Sequence, residues 1–521
     1  MTALSKSHDV RKHVIETPGG VVAAQNRLAA EAGAEVLRAG GDAVDAAVAT
    51  SFAIGVVEPW MSGPAGGGAA VHWRAETGEA VAINFGMRSP KGLNVEDYPL
   101  SGEGKAGDLF PWERVVADRN VEGATAIAVP GTVDGIGQAH GRWGRMPWAD
   151  LLAPAIAHAR EGMLVDWYAA LLIASTARNL AKDTDAAAMF LDDGKWPKAS
   201  GWTAIPDNRL DQSAMADMLD TLAKGGPRAF YADDIAQGMA GDVQAKGGCL
   251  TTEDLAGYRA WMGRAQAVPY RDALFHVMPG LTAGPTFARV MGQLSDLDLS
   301  APLQAYPAYA RALSRAYAER LGTMGDTGEV PEAPGCTTHF SIVDRAGNMV
   351  AHTQTLLSIF GSRVVSPSTG LLMNNGIMCF DPEPGKPNSL APDKSCLMNV
   401  CPIVGSQGAR SFAIGASGGR KIVSAVAQLA SFVTDRGMDI GEAFHAPRID
   451  VSGGAGAIAD DSLPQEVLSA IAEVMPVQTT RRTVSPYAFA CPAGVMRDDA
   501  VNSGCTEIMS PWGDAALEEI R

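Results

Sequence analysis

Two threonines stand where a hydroxyl could do covalent chemistry. Cys336-Thr337-Thr338-His339-Phe340-Ser341-Ile342-Val343-Asp344 and Met349-Val350-Ala351-His352-Thr353-Gln354-Thr355 flank a Gly347-Asn348 turn signal, with apolar and polar residues alternating on both sides. That pattern predicts a β-hairpin. Thr337 and Thr355 each lie nine positions from Ala346, so the hairpin sets them opposite each other to within one residue. Threonine pairs are ordinary in sheets, where branched side chains fit and cross-strand hydroxyls meet. A threonine hydroxyl is a good nucleophile only with a base beside it. An N-terminal threonine can supply that base from its own α-amine, whose reference pKa is about 7.7 to 8.0.

Other residue sets compete for the same role. Gly415-Ala416-Ser417-Gly418-Gly419 matches the Gly-x-Ser-x-Gly elbow of serine hydrolases, between a predicted strand at 411–414 and a predicted helix at 420–434. The only histidine after Ser417 is His445, 28 residues on, which leaves little room for the intervening strands of an α/β-hydrolase. The glycines also suit a tight turn or N–H groups exposed at a helix start. Cys336 as a thiol nucleophile, with His339 or His352 as base, is opposed by strand alternation, which sends neighbours to opposite faces. His339 reads as a structural hydrogen-bonding residue. The seven cysteines are odd in number and scattered, unlike a disulfide framework, and Cys396 and Cys401 have no second pair or nearby histidine to complete a zinc spacing. Threonine chemistry requires no metal and no organic cofactor.

The elements that must position these groups are mixed. Helices are predicted at 26–38, from a cap at Asp42 to about 57, and at 148–160, 167–180, 212–224 and several segments within 286–317, with Thr252 capping a further start. A Gly- and Pro-rich loop at 58–69 lacks the Gly-Lys-Ser/Thr ending of a phosphate loop. A hairpin is predicted at 71–85 around Thr77-Gly78. Residues 91–125 read as a polar surface excursion, and 322–335 as a loop just ahead of Thr337. With neither a βαβ alternation nor a repeat, the fold class is a layered α+β domain.

Composition excludes several classes. A chain of 521 residues, 46% hydrophobic and 19% charged, is an ordinary globular enzyme in make-up. A formal charge of −16 argues against a nucleic-acid partner. No signal-peptide core and no window of membrane-spanning length is visible, so no membrane association and a cytoplasmic location are the expectations.

The motifs also resemble, in order and nearly end to end, those of the γ-glutamyltranspeptidase family. They are Ala29-Ala30-Glu31-Ala32-Gly33 through Ala46-Ala47, Glu58-Pro59, Ser62-Gly63 with glycines 66 to 68, Pro130-Gly131-Thr132-Val133, the stretch from Cys336 to Asp344, Phe360-Gly361, Gly370 to Asn375, Gly415 to Gly419 and Ala446-Pro447-Arg448. The resemblance implies the αββα sandwich of N-terminal-nucleophile hydrolases, two antiparallel sheets between helical layers. It implies self-cleavage between Cys336 and Thr337, giving a large subunit 1–336 and a small subunit 337–521 that remain one intertwined domain. Thr337 would then be the catalytic nucleophile, Thr355 its supporting hydroxyl, and Gly418 and Gly419 the oxyanion-hole donors. The partners implied are a small-molecule amide and the two subunits of one precursor, with room for a homo-oligomer.

The resemblance breaks where specificity is set. In relatives acting on γ-glutamyl compounds an arginine and two adjacent serines hold the α-carboxylate, and Asn, Gln and Asp side chains hold the α-amine. The arginine position falls on Gly86, with Arg88 two residues later; the serines fall on Met398 and Asn399; the amine-binding positions fall on Leu357, Gly376 and Cys379. A substrate ammonium left without polar partners costs several kcal/mol or so. The expectation is therefore an amide hydrolase whose acyl group keeps a negative end, read by Arg88 or Arg363 with Asn399, and lacks an α-amine. Transfer to an amine acceptor is a second outcome. The competing expectations are a γ-glutamyltransferase or glutathione hydrolase proper, and an unprocessed, inactive binding protein on the same scaffold.

Overall fold

The computed structural model describes residues 10–106, 110–201, 203, 205–324, 336–485 and 487–519. Fourteen strands form its two main sheets: β1 Ile15–Thr17, β2 Val21–Ala24, β3 Gly67–Arg74, β4 Glu79–Asn84, β5 Trp261–Arg264, β6 Gln266–Tyr270, β7 Ala273–Val277, β8 Cys336–Val343, β9 Met349–Leu357, β10 Ile403–Gln407, β11 Arg410–Ser417, β12 Cys491–Asp498, β13 Val501–Thr506 and β14 Asp514–Leu517. One sheet runs β5-β4-β3-β9-β8-β2-β14 and the other β1-β13-β12-β11-β10-β7-β6. Every pairing within both sheets is antiparallel.

Strand alternation sorts the apolar side chains into layers. On β2, Val22 and Ala24 join Phe340 and Ile342 of β8 in the core shared with helices α1, Arg27–Arg38, and α2, Ala43–Val57. Val21 and Ala23 point the other way, into a second core with Ala413 of β11 and Ala493 and Val495 of β12. Phe412 and Ile414, one step along β11, enter a third core with α3, Gly284–Leu294, α4, Pro302–Met324, and α5, Lys421–Arg436. The result is the expected αββα sandwich. Among the described residues no helix is long and apolar enough to cross a membrane.

Local chemistry accounts for the helix ends. The Asp42 side chain accepts from Val44 and Asp45 N–H while Asp45 returns to the Asp42 N–H, so α2 starts on a capping box. The helix predicted near Thr252 is capped one residue earlier, by Thr251 paired with Asp254. Two expectations need correction. Residues 91–125 are not a mere surface excursion, because Tyr98, Phe110 and Trp112 are buried in the inter-sheet core. The segment predicted as loop from 322 begins inside α4, which runs to Met324; 325–335 lie outside the described residues.

Candidate active site

The hairpin register comes out as predicted, with one irregularity. Thr338 pairs with Gln354 and His339 with Thr353, but Cys336 pairs with Leu357, so the ladder shifts between Cys336 and Thr338. A bulge of this kind bends a strand and re-aims the side chain it carries. Thr337 sits in it. Its Oγ1 lies 3.4 Å from Thr355 Oγ1, and both residues are buried. Thr355 Oγ1 also accepts from the Leu357 N–H at 2.8 Å, which fixes the hydroxyl's orientation. Gly66 lets β3 and β9 come this close, since a Cβ there would collide with the Thr355 carbonyl.

Beside Thr337, a chain of buried polar groups joins the two sheets. Thr338 Oγ1 lies 2.7 Å from Glu58 Oε2 and 3.1 Å from Gln25 Oε1. Gln25 Nε2 donates to Ser417 Oγ at 2.7 Å and to the Cys491 carbonyl at 2.5 Å. Gln25 follows the last residue of β2, Glu58 is the C-cap of α2, Ser417 ends β11 and Cys491 starts β12. Four elements therefore terminate at one edge of the sandwich, next to the start of β8. His339 has Thr353 Oγ1 at 2.8 Å from Nδ1 and Ser341 Oγ at 2.9 Å from Nε2, so both ring nitrogens serve the sheet. Burial holds its pKa well below the ordinary histidine value.

Gly418 and Gly419 connect β11 to α5. Both have positive φ, 125° and 58°, which explains glycine at each. Their carbonyls accept from Lys421 and Ile422 N–H at 3.1 and 3.3 Å. Among the described residues neither glycine N–H donates to a backbone carbonyl. A strand-to-helix turn with two such donors fits an anion at its mouth. The serine elbow is excluded by partners: Ser417 Oγ is taken by Gln25, and His445 has Gly441 O at 2.7 Å from Nδ1 and the Lys12 N–H at 3.1 Å from Nε2. Among the described residues no group of three His, Cys, Asp or Glu is placed to hold a metal.

A glycine turn and a threonine hairpin within an αββα sandwich meet a match along most of the chain: the γ-glutamyltranspeptidase family model aligns to residues 29–334 and 327–485. The chain belongs to the γ-glutamyltranspeptidase family. It is 32% identical to the acylase ACY 1 proenzyme of Pseudomonas sp. (strain V22), over 87% of this chain and 86% of the relative. It is 29% identical to the glutathione hydrolase proenzyme of Bacillus subtilis (strain 168), over 89% and 86%. Among solved structures, cephalosporin acylase from Bacillus halodurans superposes with a TM-score of 0.84 at 25% identity, covering 100% of this chain and 99% of that one. The protein is thus an enzyme, an amidohydrolase of the N-terminal-nucleophile class.

The residues expected from the resemblance to set specificity are mostly apolar. A Cβ on Gly86 would meet Met398 Cε at 2.7 Å, so the methionine fills the space an arginine would need. Leu357, Cys379 and Met398 share one buried cluster with Met87, Met378 and Leu397. Gly376 lies against it, its carbonyl accepting from Cys396 Sγ at 3.2 Å and its absent Cβ facing Met87 Cβ. Arg88 reaches Asp393, with Nε 3.3 Å from Oδ1. Arg363 donates to the Val121 carbonyl at 3.1 Å. Asn399 Oδ1 accepts from Arg320 Nη2 at 3.1 Å, and the same nitrogen donates to the Met398 carbonyl at 3.0 Å.

Sequence reasoning missed three groups. Arg320 lies in an unremarkable helix, and nothing local shows that it reaches Asn399. Glu58 does carry a signal, a carboxylate directly after an almost wholly apolar helix of fifteen residues. Arg448, from a motif given no role, forms a buried ion pair with Glu507 and donates to Ala490 O at 3.3 Å. Ala490 is the residue packed against Gly418.

Proposed function

We propose that the chain cleaves itself between Cys336 and Thr337 and then hydrolyses small amides through an acyl-enzyme on Thr337 Oγ1. The fragments would be 336 and 521 − 336 = 185 residues, held together by the shared sheets. In cleavage, Thr337 Oγ1 attacks the Cys336 carbonyl carbon, the peptide C–N bond breaks as the α-amine takes up the hydroxyl proton, and water hydrolyses the resulting Cys336 ester to a carboxylate, which frees the hydroxyl again. In turnover, that amine takes the hydroxyl proton, the oxygen attacks the substrate carbonyl, and the Gly418 and Gly419 N–H groups receive the oxyanion. The leaving amine collects the proton. Water then attacks the ester and restores the hydroxyl, or an amine does so in transfer. The observation that carries this reading is Thr337 Oγ1 at 3.4 Å from Thr355 Oγ1, in a bulge next to Thr338, whose hydrogen bonds run through Gln25 to Ser417, the residue before the glycine turn.

The acyl group is a carboxylate-bearing chain without an α-amine, such as a glutaryl group. Support comes from the apolar cluster at Leu357, Cys379 and Met398, which offers an ammonium nothing, and from the cations Arg320 beside Asn399, Arg88 beside Asp393 and Arg363 at the Val121 carbonyl. Turnover of glutaryl anilide against γ-glutamyl anilide tests it. A clear glutaryl preference is expected, and a γ-glutamyl preference returns the protein to glutathione hydrolase chemistry. A denaturing gel of fresh protein tests the cut; one persistent full-length band would favour the inactive scaffold.

A further inference from the structure

We propose that Glu58 works as a protonated carboxylic acid, and that its proton anchors the hydrogen-bond chain through Thr338, Gln25 and Ser417 that positions the nucleophile strand against the glycine turn. The inference rests on Thr337 being the nucleophile and makes Glu58 a positioning residue, since it touches Thr338 and not the reacting atoms.

The argument is a count of protons. The Cys491 carbonyl can only accept, so the face of Gln25 turned to it at 2.5 Å is the NH2 group. Gln25 Oε1 therefore faces Thr338 Oγ1 at 3.1 Å, and it too can only accept. The one hydroxyl proton of Thr338 goes to Gln25. The remaining contact, 2.7 Å between Thr338 Oγ1 and Glu58 Oε2, then needs its proton from Glu58. The chain runs in one direction, from carboxyl to hydroxyl to amide to Ser417 and Cys491. An ionised Glu58 would instead capture the Thr338 proton and leave Gln25 Oε1 without a donor from that hydroxyl.

The surroundings agree. Glu58 is buried and caps the C-terminus of α2, the negative end of a fifteen-residue helix, where a carboxylate is disfavoured. The titratable groups facing it are Tyr487, before β12, and Cys491; burial pushes both up, so neither carries charge at neutral pH. No cation among the described residues offsets the desolvation, and burial raises the Glu58 pKa to about 8. Cleavage adds one nearby charge, the Thr337 α-ammonium. The working state needs that amine neutral and Glu58 protonated, so the two titrate as a coupled pair and set the two limbs of the pH profile.

Profiles of kcat/KM against pH for processed wild-type, Glu58→Gln and Glu58→Ala proteins test this. The wild type should fall on the alkaline side. Glu58→Gln, whose carboxamide donates to Thr338 at every pH, should lose that falling limb while turning over more slowly than wild type. Glu58→Ala should drop about 10²-fold at all pH. An unchanged alkaline limb in Glu58→Gln overturns the proposal, as does a wild type with no such limb. An infrared measurement on Thr337→Ala needs no turnover: a carboxylic-acid C=O band should vanish from neutral to about pH 10 and be missing when Glu58→Gln is added. Absence of that band refutes the protonated Glu58. Turnover surviving in Thr337→Ala removes the nucleophile instead, leaving the infrared result to judge Glu58.

Discussion

At the start of β8, Thr338, Gln25, Glu58 and Ser417 are buried polar groups that hold one another by named hydrogen bonds, next to Thr337 with its contact to Thr355. Where the proposed acyl group would lie, Met87, Leu357, Cys379, Cys396 and Met398 pack as one apolar cluster. The two regions obey different rules. Removing one member of a buried polar chain strands its partner, at about 1–3 kcal/mol, so such a chain resists change one residue at a time. Apolar side chains of similar size exchange for less than about 1.5 kcal/mol. The polar chain is therefore the less replaceable of the two regions.

The sharpest way to break this comparison is Thr337→Ala, which should abolish both the cut and amide turnover, read by gel and by assay. Either activity surviving would empty the polar region of its role. Next is Gly418→Ala: a Cβ there meets Ala490 Cα at 3.0 Å from a φ of 125°, and the backbone shift that relieves this moves the N–H off the oxyanion, which should lower kcat about 10²–10³-fold. A variant that keeps full rate would make the glycines a simple turn. The apolar side is probed by Leu357→Asn with Met398→Ser. Restoring polar groups should shift preference toward γ-glutamyl over glutaryl anilide by about tenfold, with processing intact. No shift would mean that these positions do not read the acyl group. The smallest effect belongs to Ser417→Ala, which takes the acceptor from one Gln25 N–H while the other keeps the Cys491 carbonyl and so still ties the two sheets; about 1 kcal/mol of stability should go in denaturant melts, with turnover falling far less than in Glu58→Ala.

The hairpin was legible because alternation and a Gly-Asn turn fix register locally, and the match of Thr337 with Thr355 came within the one residue allowed. The bulge was not legible, since a one-residue shift depends on what packs over the strand end. The helix caps show the same limit: Asp42 was placed correctly, while Thr251 and Thr252 are adjacent hydroxyls that only Asp254, three residues past Thr251, tells apart. Residues 91–125 misled because their Gly and Pro content hid three aromatic side chains that the inter-sheet core takes up.

By itself the chain determined the threonine pair, the glycine turn, the order of motifs and the apolar residue types at positions 357, 379 and 398, all carried by residue type and local spacing. Only the tertiary structure decided that Glu58, Gln25, Thr338 and Ser417 form one chain, and that Met398 occupies the space over Gly86. Those contacts join residues up to 392 positions apart. Which distant polar atom meets which is set by how two sheets stack, and pattern along one strand carries no record of it.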